Sequence, residues 1–153
     1  MGTDGFAGLM RLRGHEVPTV TREIPVNDLN FYPENPRIYS IVHTDGQKPS
    51  QNEILERLQV LEHVRQLVQD IRANGGLIDP MIVRQGDMVV LEGNSRLAAY
   101  RHLVKDDPVK WANATCTLLP ADIDEHLVFA LLAQYHVKGK KDWAPYEKAG
   151  VIY

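Results

Sequence analysis

The five residues Glu92-Gly93-Asn94-Ser95-Arg96 are all polar or glycine, and the last four are of the types that bind anions. They follow a short apolar run at residues 88–91, which has the character of a buried strand. After them the apolar residues are spaced as on a helix with one buried face: Leu97, Tyr100, Leu103 and Val104. A helix begins with unpaired N–H groups and a partial positive charge. This strand-to-helix corner is therefore a candidate anion site.

Each residue of the corner can contribute differently to anion binding. Gly93 would let a ligand approach the backbone closely, and Asn94 or Ser95 would cap the helix while offering a polar group outward. Arg96 lies in the first turn and opposes the helix dipole, for which a bidentate contact with a phosphate would compensate. An ordinary turn with a surface arginine is the alternative. Neither a Walker A pattern nor GxGxxG occurs in the chain.

Glu92 is the candidate acid for catalysis, because it immediately precedes the corner. It could orient a metal ion or a water molecule, and it could equally pair with Arg96. The acids at Asp122, Asp124 and Glu125 are better explained as favourable charges at a helix start. No metal-ligand spacing occurs among the following histidines, which we interpret as surface or core-edge residues: His15, His43, His63, His102 and His126.

Length and composition indicate one globular domain. A chain of 153 residues can bury one core but not two ordinary ones, and 44% hydrophobic with 24% charged residues is an average composition. The net charge of −3 argues against binding nucleic acid unaided through phosphate neutralisation. The lone Cys116 excludes a disulfide framework and fits a reducing cytoplasm. No segment has the length of a membrane span or the apolar core of a signal peptide.

Strands and helices are predicted to alternate along the chain, which indicates an α/β or α+β fold in layers. Strands are predicted at residues 21–26, 81–84, 88–91 and 114–119, the middle two as a hairpin or a close pair. Helices are predicted after a capping box of Ser50 with Glu53, over residues 61–71 up to Gly75, from Asn94, and after a capping box of Asp122 with Glu125.

The two ends of the chain differ from its middle. Residues 1–19 are predicted to be a flexible, Gly-rich leader, and residues 20–144 the folded domain. Pro145 suits the first turn of a helix, yet the chain stops at apolar Tyr153 without a capping signal. We therefore expect residues 145–153 to begin a helical segment that continues in a longer natural protein.

Four motifs occur in the order and spacing of the ParB/sulfiredoxin superfamily. They are NPR at 35–37, GLIDPMIVR at 76–84, LEGNSRLAAYRHL at 91–103, and the segment ADIDEHLVFALLAQYHVKGKKDWAPYEKA that starts at residue 121. Over residues 20 to 150 the chain resembles the ParB-like N-terminal nucleotide-binding domain. Each motif alone is weak, but four in the right order are a specific signal. The resemblance implies a small mixed sheet packed with helices.

The resemblance also implies a site for a nucleoside triphosphate, which is CTP in partition proteins and ATP in sulfiredoxin. The corner from Gly93 to Arg96 would form the phosphate cradle, and Arg37 would reach the phosphates from the other side. Gly76 and Leu77 begin the segment that matches the one near the bound nucleotide. The turn after the acidic helix would add further phosphate-binding residues: His136, Lys138 and Lys140.

Two departures from the family pattern bear on the chemistry. The ParB corner reads GERR and the sulfiredoxin corner GCHR, whose catalytic cysteine falls where this chain has Asn94, so sulfiredoxin activity is not expected. The acidic-asparagine pair that helps hold magnesium in ParB falls at 136–137, where this chain has no carboxylate. We expect weak nucleoside triphosphatase activity at most. Magnesium stays a candidate cofactor, with Lys138, Lys140 and Lys141 taking over part of its electrostatic role.

These patterns lead to one preferred function and two alternatives. We interpret the chain as the nucleotide-binding domain of a cytoplasmic, DNA-associated bacterial, plasmid or phage protein. The resemblance implies a nucleotide that switches self-association into a homodimer, and DNA bound by a helix-turn-helix region beyond residue 153. The first alternative is a phosphotransferase or nuclease on the same fold. The second is an interaction module with an inactive pocket.

Overall fold

The computed structural model describes residues 8–36, 38 and 48–138, with the side chains of 136–138 left out. Six strands lie in these ranges: β1 (Gly8–Leu12), β2 (His15–Pro25), β3 (Asn30–Phe31), β4 (Met81–Arg84), β5 (Val89–Glu92) and β6 (Asn113–Leu119). Four α-helices accompany them: α1 (Gln51–Gln59), α2 (Glu62–Asn74), α3 (Asn94–Asp106) and α4 (Glu125–Lys138). None of these helices is long and apolar enough to cross a membrane.

The strands form one mixed sheet in the order β1-β2-β6-β4-β5-β3. β4 runs parallel to β6 and β3 parallel to β5, whereas the other neighbouring pairs are antiparallel. The predicted hairpin of β4 and β5 is confirmed. The predicted fold class, a small mixed sheet packed with helices, is confirmed as well. Because β5 is followed directly by Gly93 and α3, the predicted corner lies at the end of a sheet strand.

Helices cover both faces of the sheet. Val83 and Val90 belong to one apolar cluster, whereas their chain neighbours Ile82 and Leu91 belong to another. Successive side chains of a strand point to opposite faces, so the two clusters lie on the two sides of the sheet. The first cluster contains buried residues of α1, α2 and α3. The second contains buried residues of α4: Val128, Leu131 and Leu132.

The start of α1 and the end of α2 lie where local sequence signals predict them. The Ser50 side chain accepts a hydrogen bond from the Glu53 N–H at 3.1 Å, and the Glu53 carboxylate accepts one from the Ser50 N–H at 2.8 Å. This reciprocal pair is the predicted capping box of α1. Gly75 ends α2 in the left-handed conformation, with φ of 84°, as a C-terminal glycine does.

The predicted capping box of Asp122 with Glu125 is wrong. α4 begins at Glu125, so the residue that precedes it is Asp124. The Asp124 carboxylate accepts a hydrogen bond from the N–H of His126 at 2.7 Å. Asp122 lies in the turn before the helix. Two aspartates of similar capping propensity stand two residues apart here, and the sequence pattern alone chose the wrong one.

The predicted flexible leader is wrong from residue 8 onward, because β1 and β2 form an antiparallel hairpin. Arg13 and Gly14 make the turn with φ of 50° and 81°, the positive values that suit a tight hairpin. Leu12 and Val17 are buried in the same cluster as α4. Pro18 lies within β2, and proline disfavours a strand prediction. Residues 1–7 and 145–153 lie outside the described residues, and their place in the predicted division of the chain stays a prediction.

Candidate functional site

Gly93 is the turning point of the predicted corner. It is the residue before α3, with φ of 114° and ψ of 22°, a left-handed conformation that favours glycine. A Cβ atom at this position would lie 2.8 Å from Cγ of Met81 and 3.2 Å from Nη2 of Arg96. Backbone conformation and available space therefore both require glycine here.

Gly93, the residue before α3, has no side chain and so supplies no side-chain cap to this helix start. Asn94, which was expected to cap the helix or face outward, is only 7% exposed. Its side-chain oxygen accepts a hydrogen bond from the Tyr32 N–H at 3.0 Å, and its side-chain nitrogen donates to the Val90 carbonyl at 2.9 Å. The Asn94 side chain thus fastens the corner to the sheet and is not offered outward. Its backbone N–H, like those of Ser95 and Arg96, belongs to the uncapped helix start.

Arg96 connects the corner to the second predicted motif. Its Nη1 donates a hydrogen bond to the Asp79 carbonyl at 2.7 Å, which joins the start of α3 to the segment 76–80. A guanidinium has five N–H donors, so this single contact leaves donors for a phosphate. Arg96 and Glu92 are both half-buried on either side of Gly93.

A cavity of about 950 Å³ opens beside this corner. It is within the size range of small-molecule sites. The corner residues 92–96 and the segment 76–80, including Gly76 and Leu77, line it together with Asn35 of the first motif and Tyr135 of the fourth. The fold thus brings residues of all four predicted motifs together. One face of α2 adds a mixture of polar and apolar side chains to the wall: His63, Gln66, Leu67, Asp70, Ile71 and Asn74.

The contribution of α2 was missed by the sequence analysis. His63, Leu67, Asp70 and Asn74 follow the spacing i, i+4, i+7, i+11, which places them on one helix face. The apolar residues of α2 were assigned to the core, and the polar members of this face were left without a role. Their mixture of polar and apolar types at helical spacing is the signal that would have found them.

His63 and Ser95 form a hydrogen-bonded pair in the cavity wall. The His63 Nε2 lies 3.0 Å from the Ser95 Oγ, and both side chains are half-buried. The two residues belong to the first turns of α2 and α3. Their contact depends on how the two helices pack against each other, so spacing along the chain gives no sign of it. His63 lies at the core edge, as one of the two interpretations had it, and in addition lines the candidate site.

The described wall of the cavity contains more acidic than basic side chains. Three acidic side chains, those of Asp70, Asp79 and Glu92, lie in this wall. Arg96 is the one arginine among the described lining residues. Burial raises the pKa of Tyr135, the charges of Glu92 and Asp79 raise it further, and Arg96 lowers it. The charges of Glu92, Asp79 and Arg96 therefore act on the same part of the cavity. A triphosphate bound there would need additional positive charge, from other residues or from a metal ion.

Several predicted site residues lie outside what the structure describes. Arg37 and Lys140 are not among the described residues, and neither are the side chains of His136 and Lys138. Their part in nucleotide binding stays a prediction.

The described residues could bind magnesium only together with a phosphate ligand, because they do not form a metal site by themselves. Within residues 8–36, 38 and 48–138, no group of three or more His, Cys, Asp or Glu side chains could hold a metal ion. Magnesium in nucleotide sites is commonly held by one or two carboxylates together with substrate phosphates. Glu92, beside the corner, is suitably placed to be such a carboxylate.

Comparison with known proteins gives a similarity of structure. No family model and no curated protein matches the chain. Among solved structures, it is similar to the C-terminally truncated chromosome-partitioning protein ParB from Caulobacter crescentus, complexed with CTP-gamma-S. The identity is 18% and the TM-score 0.46, over 77% of this chain and 53% of that chain. The chain thus spans about half the length of that ParB structure. The residues of the candidate site are therefore assigned from this chain's own geometry.

Proposed function

We propose that this chain binds a nucleoside triphosphate, CTP or ATP, with the phosphates at the start of α3. The main support is the corner at Gly93, where a helix start with glycine in the capping position opens into a cavity of about 950 Å³. Backbone N–H groups and the Arg96 guanidinium favour phosphate at this position. Apolar side chains in the same cavity can contact the nucleobase: Leu67, Ile71 and Leu77.

Arg96 would couple the bound phosphates to the neighbouring segment. It already donates to the Asp79 carbonyl, so a phosphate held by its other N–H groups would stabilise both the corner and residues 76–80. We propose that the nucleotide acts in this way as a switch for self-association into a homodimer or for DNA binding. The DNA would be bound by a region beyond residue 153, in a cytoplasmic protein of a partition-like system.

The acidic wall makes the source of positive charge part of the proposal. Magnesium held between the phosphates and Glu92 would supply some of it, by neutralising phosphate charge. Lys138, Lys140 and Lys141 would supply the rest, because they form a short cluster in the sequence that begins with the last residue of α4. We expect nucleotide binding to persist without magnesium and nucleotide hydrolysis to be weak.

A phosphotransferase on the same fold is the second candidate function. One observation favours it, namely the hydrogen bond between His63 and Ser95 in the cavity wall. A serine beside a histidine is the arrangement of an activated nucleophile. No comparable observation among the described residues favours a nuclease.

Calorimetric titration with the four ribonucleoside triphosphates, each with and without magnesium, tests the proposed binding. Arg96→Ala should weaken the binding of the preferred nucleotide by about 1.5–3 kcal/mol, the value of a charge-assisted hydrogen bond. Arg65→Ala is the matched control, since Arg65 is exposed on α2 and does not line the cavity. Equal affinities in the two variants would remove the corner from the binding site. Failure of all four nucleotides to bind would overturn the proposed function.

A further inference from the structure

We propose that Ser95 is a nucleophile that accepts a phosphoryl group from the bound nucleotide, with His63 as its general base. This inference rests on the proposed nucleotide binding and adds a covalent reaction to it. The Ser95 Oγ and the His63 Nε2 are 3.0 Å apart, within the range required of a nucleophile and its base. Both side chains line the cavity that would hold the triphosphate.

The position of the pair suits proton transfer. A serine hydroxyl is a weak nucleophile on its own, and a neighbouring imidazole activates it by accepting its proton. With the ring proton on Nδ1, the His63 Nε2 can accept the Ser95 hydroxyl proton. Val64 and Leu97, which lie beside the pair in sequence, are 1% and 0% exposed. The two helix starts are thus anchored in the core, and rigid elements hold such pairs more accurately than loops do.

The reaction requires only the nucleotide as co-reactant. The Ser95 Oγ attacks the terminal phosphorus and forms a new O–P bond. The bond from that phosphorus to its bridging oxygen breaks, and the nucleoside diphosphate leaves with the electron pair. The Ser95 hydroxyl proton passes to the His63 Nε2. The product is a phosphoserine at the start of α3, where the helix N–H groups and Arg96 stabilise its negative charge.

Other hydroxyl and amide groups near the corner are less suited to the reaction. The Asn94 side chain is buried and engaged with Tyr32 and Val90. Thr117 also lines the cavity, but its Oγ1 lies 3.4 Å from the Oγ1 of Thr21, which is no base. Of the two hydroxyls of Ser95 and Thr117, it is that of Ser95 that lies within hydrogen-bond distance of a basic group, the His63 imidazole.

The test uses the whole 153-residue chain, incubated with each of the four ribonucleoside triphosphates and magnesium. Mass spectrometry of the intact chain should show the addition of one phosphoryl group. The chain contains three serines, at 40, 50 and 95, so peptide sequencing can assign the site. Phosphorylation is expected on Ser95 and should be absent in Ser95→Ala.

Variants of His63 distinguish between two roles of this residue, that of a general base and that of a structural contact only. His63→Gln keeps a polar side chain but removes the base, so the phosphorylation rate should fall about a hundredfold or more. Added imidazole should restore phosphorylation in His63→Ala, an effect that a structural role would not produce. His102→Ala is the matched control, since His102 is exposed on α3 and should leave the rate unchanged.

Nucleotide binding is measured by calorimetry on the same samples, so that the two proposals can fail separately. Binding without phosphate on Ser95 would overturn this inference and leave the proposed function standing. Absence of nucleotide binding would overturn both. Phosphorylation of Ser95 at an unchanged rate in His63→Gln would overturn the role of His63 as the base.

Discussion

The starts of α1 and α3 are built in opposite ways. At α1, the side chains of Ser50 and Glu53 each accept a hydrogen bond from the other residue's N–H, so the helix start is closed. At α3, the preceding residue is Gly93, which has no side chain to act as a cap. The nearby Asn94 side chain bonds to the sheet instead.

The third residue of each helix adds to the difference between the two helix starts. In α1 this residue is Glu53, whose carboxylate accepts a backbone N–H and complements the helix dipole. In α3 it is Arg96, which can only donate and does so to the Asp79 carbonyl. One helix start is thus stabilised by its own side chains, whereas the other has glycine in the capping position and an arginine in its first turn. This difference is what the proposal requires, in which α1 would serve stability and α3 would bind the phosphates.

The largest effect is expected from Gly93→Ala. A Cβ would clash with Met81 and the φ of 114° is unfavourable, so the free energy of unfolding should fall by about 1–3 kcal/mol. Nucleotide affinity should fall more than about tenfold, because the Cβ occupies space beside Arg96 at the phosphate position. Urea unfolding and calorimetry measure the two quantities.

Gly14→Ala is the matched control for this substitution. Gly14 has a φ of 81° in the turn between β1 and β2, and a Cβ there would meet nothing within 4 Å. The variant should lose stability through backbone strain alone and keep its nucleotide affinity. Equal losses of affinity in both variants would show that instability, and not the corner, controls binding.

Ser50→Ala tests the other half of the comparison. Loss of the capping box should lower the free energy of unfolding by about 0.5–2 kcal/mol, measured in urea. Nucleotide affinity should stay the same at temperatures where the variant is folded, since Ser50 does not line the cavity. A loss of affinity comparable to that of Gly93→Ala would contradict the division of roles between α1 and α3.

The smallest effect is expected from Glu92→Gln. Without magnesium, affinity for the nucleotide should rise by about 1 kcal/mol or less, because one negative charge beside the phosphates is removed. With magnesium, affinity should fall, because a carboxylate ligand of the ion is lost. Calorimetry in both conditions decides this. A change of the same sign in both would exclude Glu92 as a magnesium ligand.

Local sequence signals predicted several of the helix ends and turns that position the candidate site. The capping box at Ser50, the glycine stop at Gly75 and the strand–turn–helix at Gly93 depend on residues close together in sequence, and all three are present. The hairpin of β1 and β2 was missed because proline is unusual within a strand, as at Pro18, and because Arg13 stands at a turn position where asparagine, aspartate or glycine is usual.

Contacts between distant residues could not be predicted in this way. Asn94 or Ser95 was expected to cap the helix while offering a polar group outward, but Tyr32, directly after β3, and Val90, within β5, provide Asn94 with partners inside the fold. The contact of His63 with Ser95 depends on the packing of α2 against α3. Sequence motifs thus located the corner, whereas tertiary packing determined which of its side chains face the cavity.

Amide chemical shifts provide the most direct test of the central claim that the start of α3 binds phosphate. The ¹⁵N-labelled chain is titrated with CTP and with ATP, and the backbone N–H signals are followed by NMR. The largest shifts are expected at Asn94, Ser95 and Arg96, with no comparable change at residues 51–53 of the capped helix start. Saturable binding that leaves the signals of residues 94–96 unchanged would contradict the account.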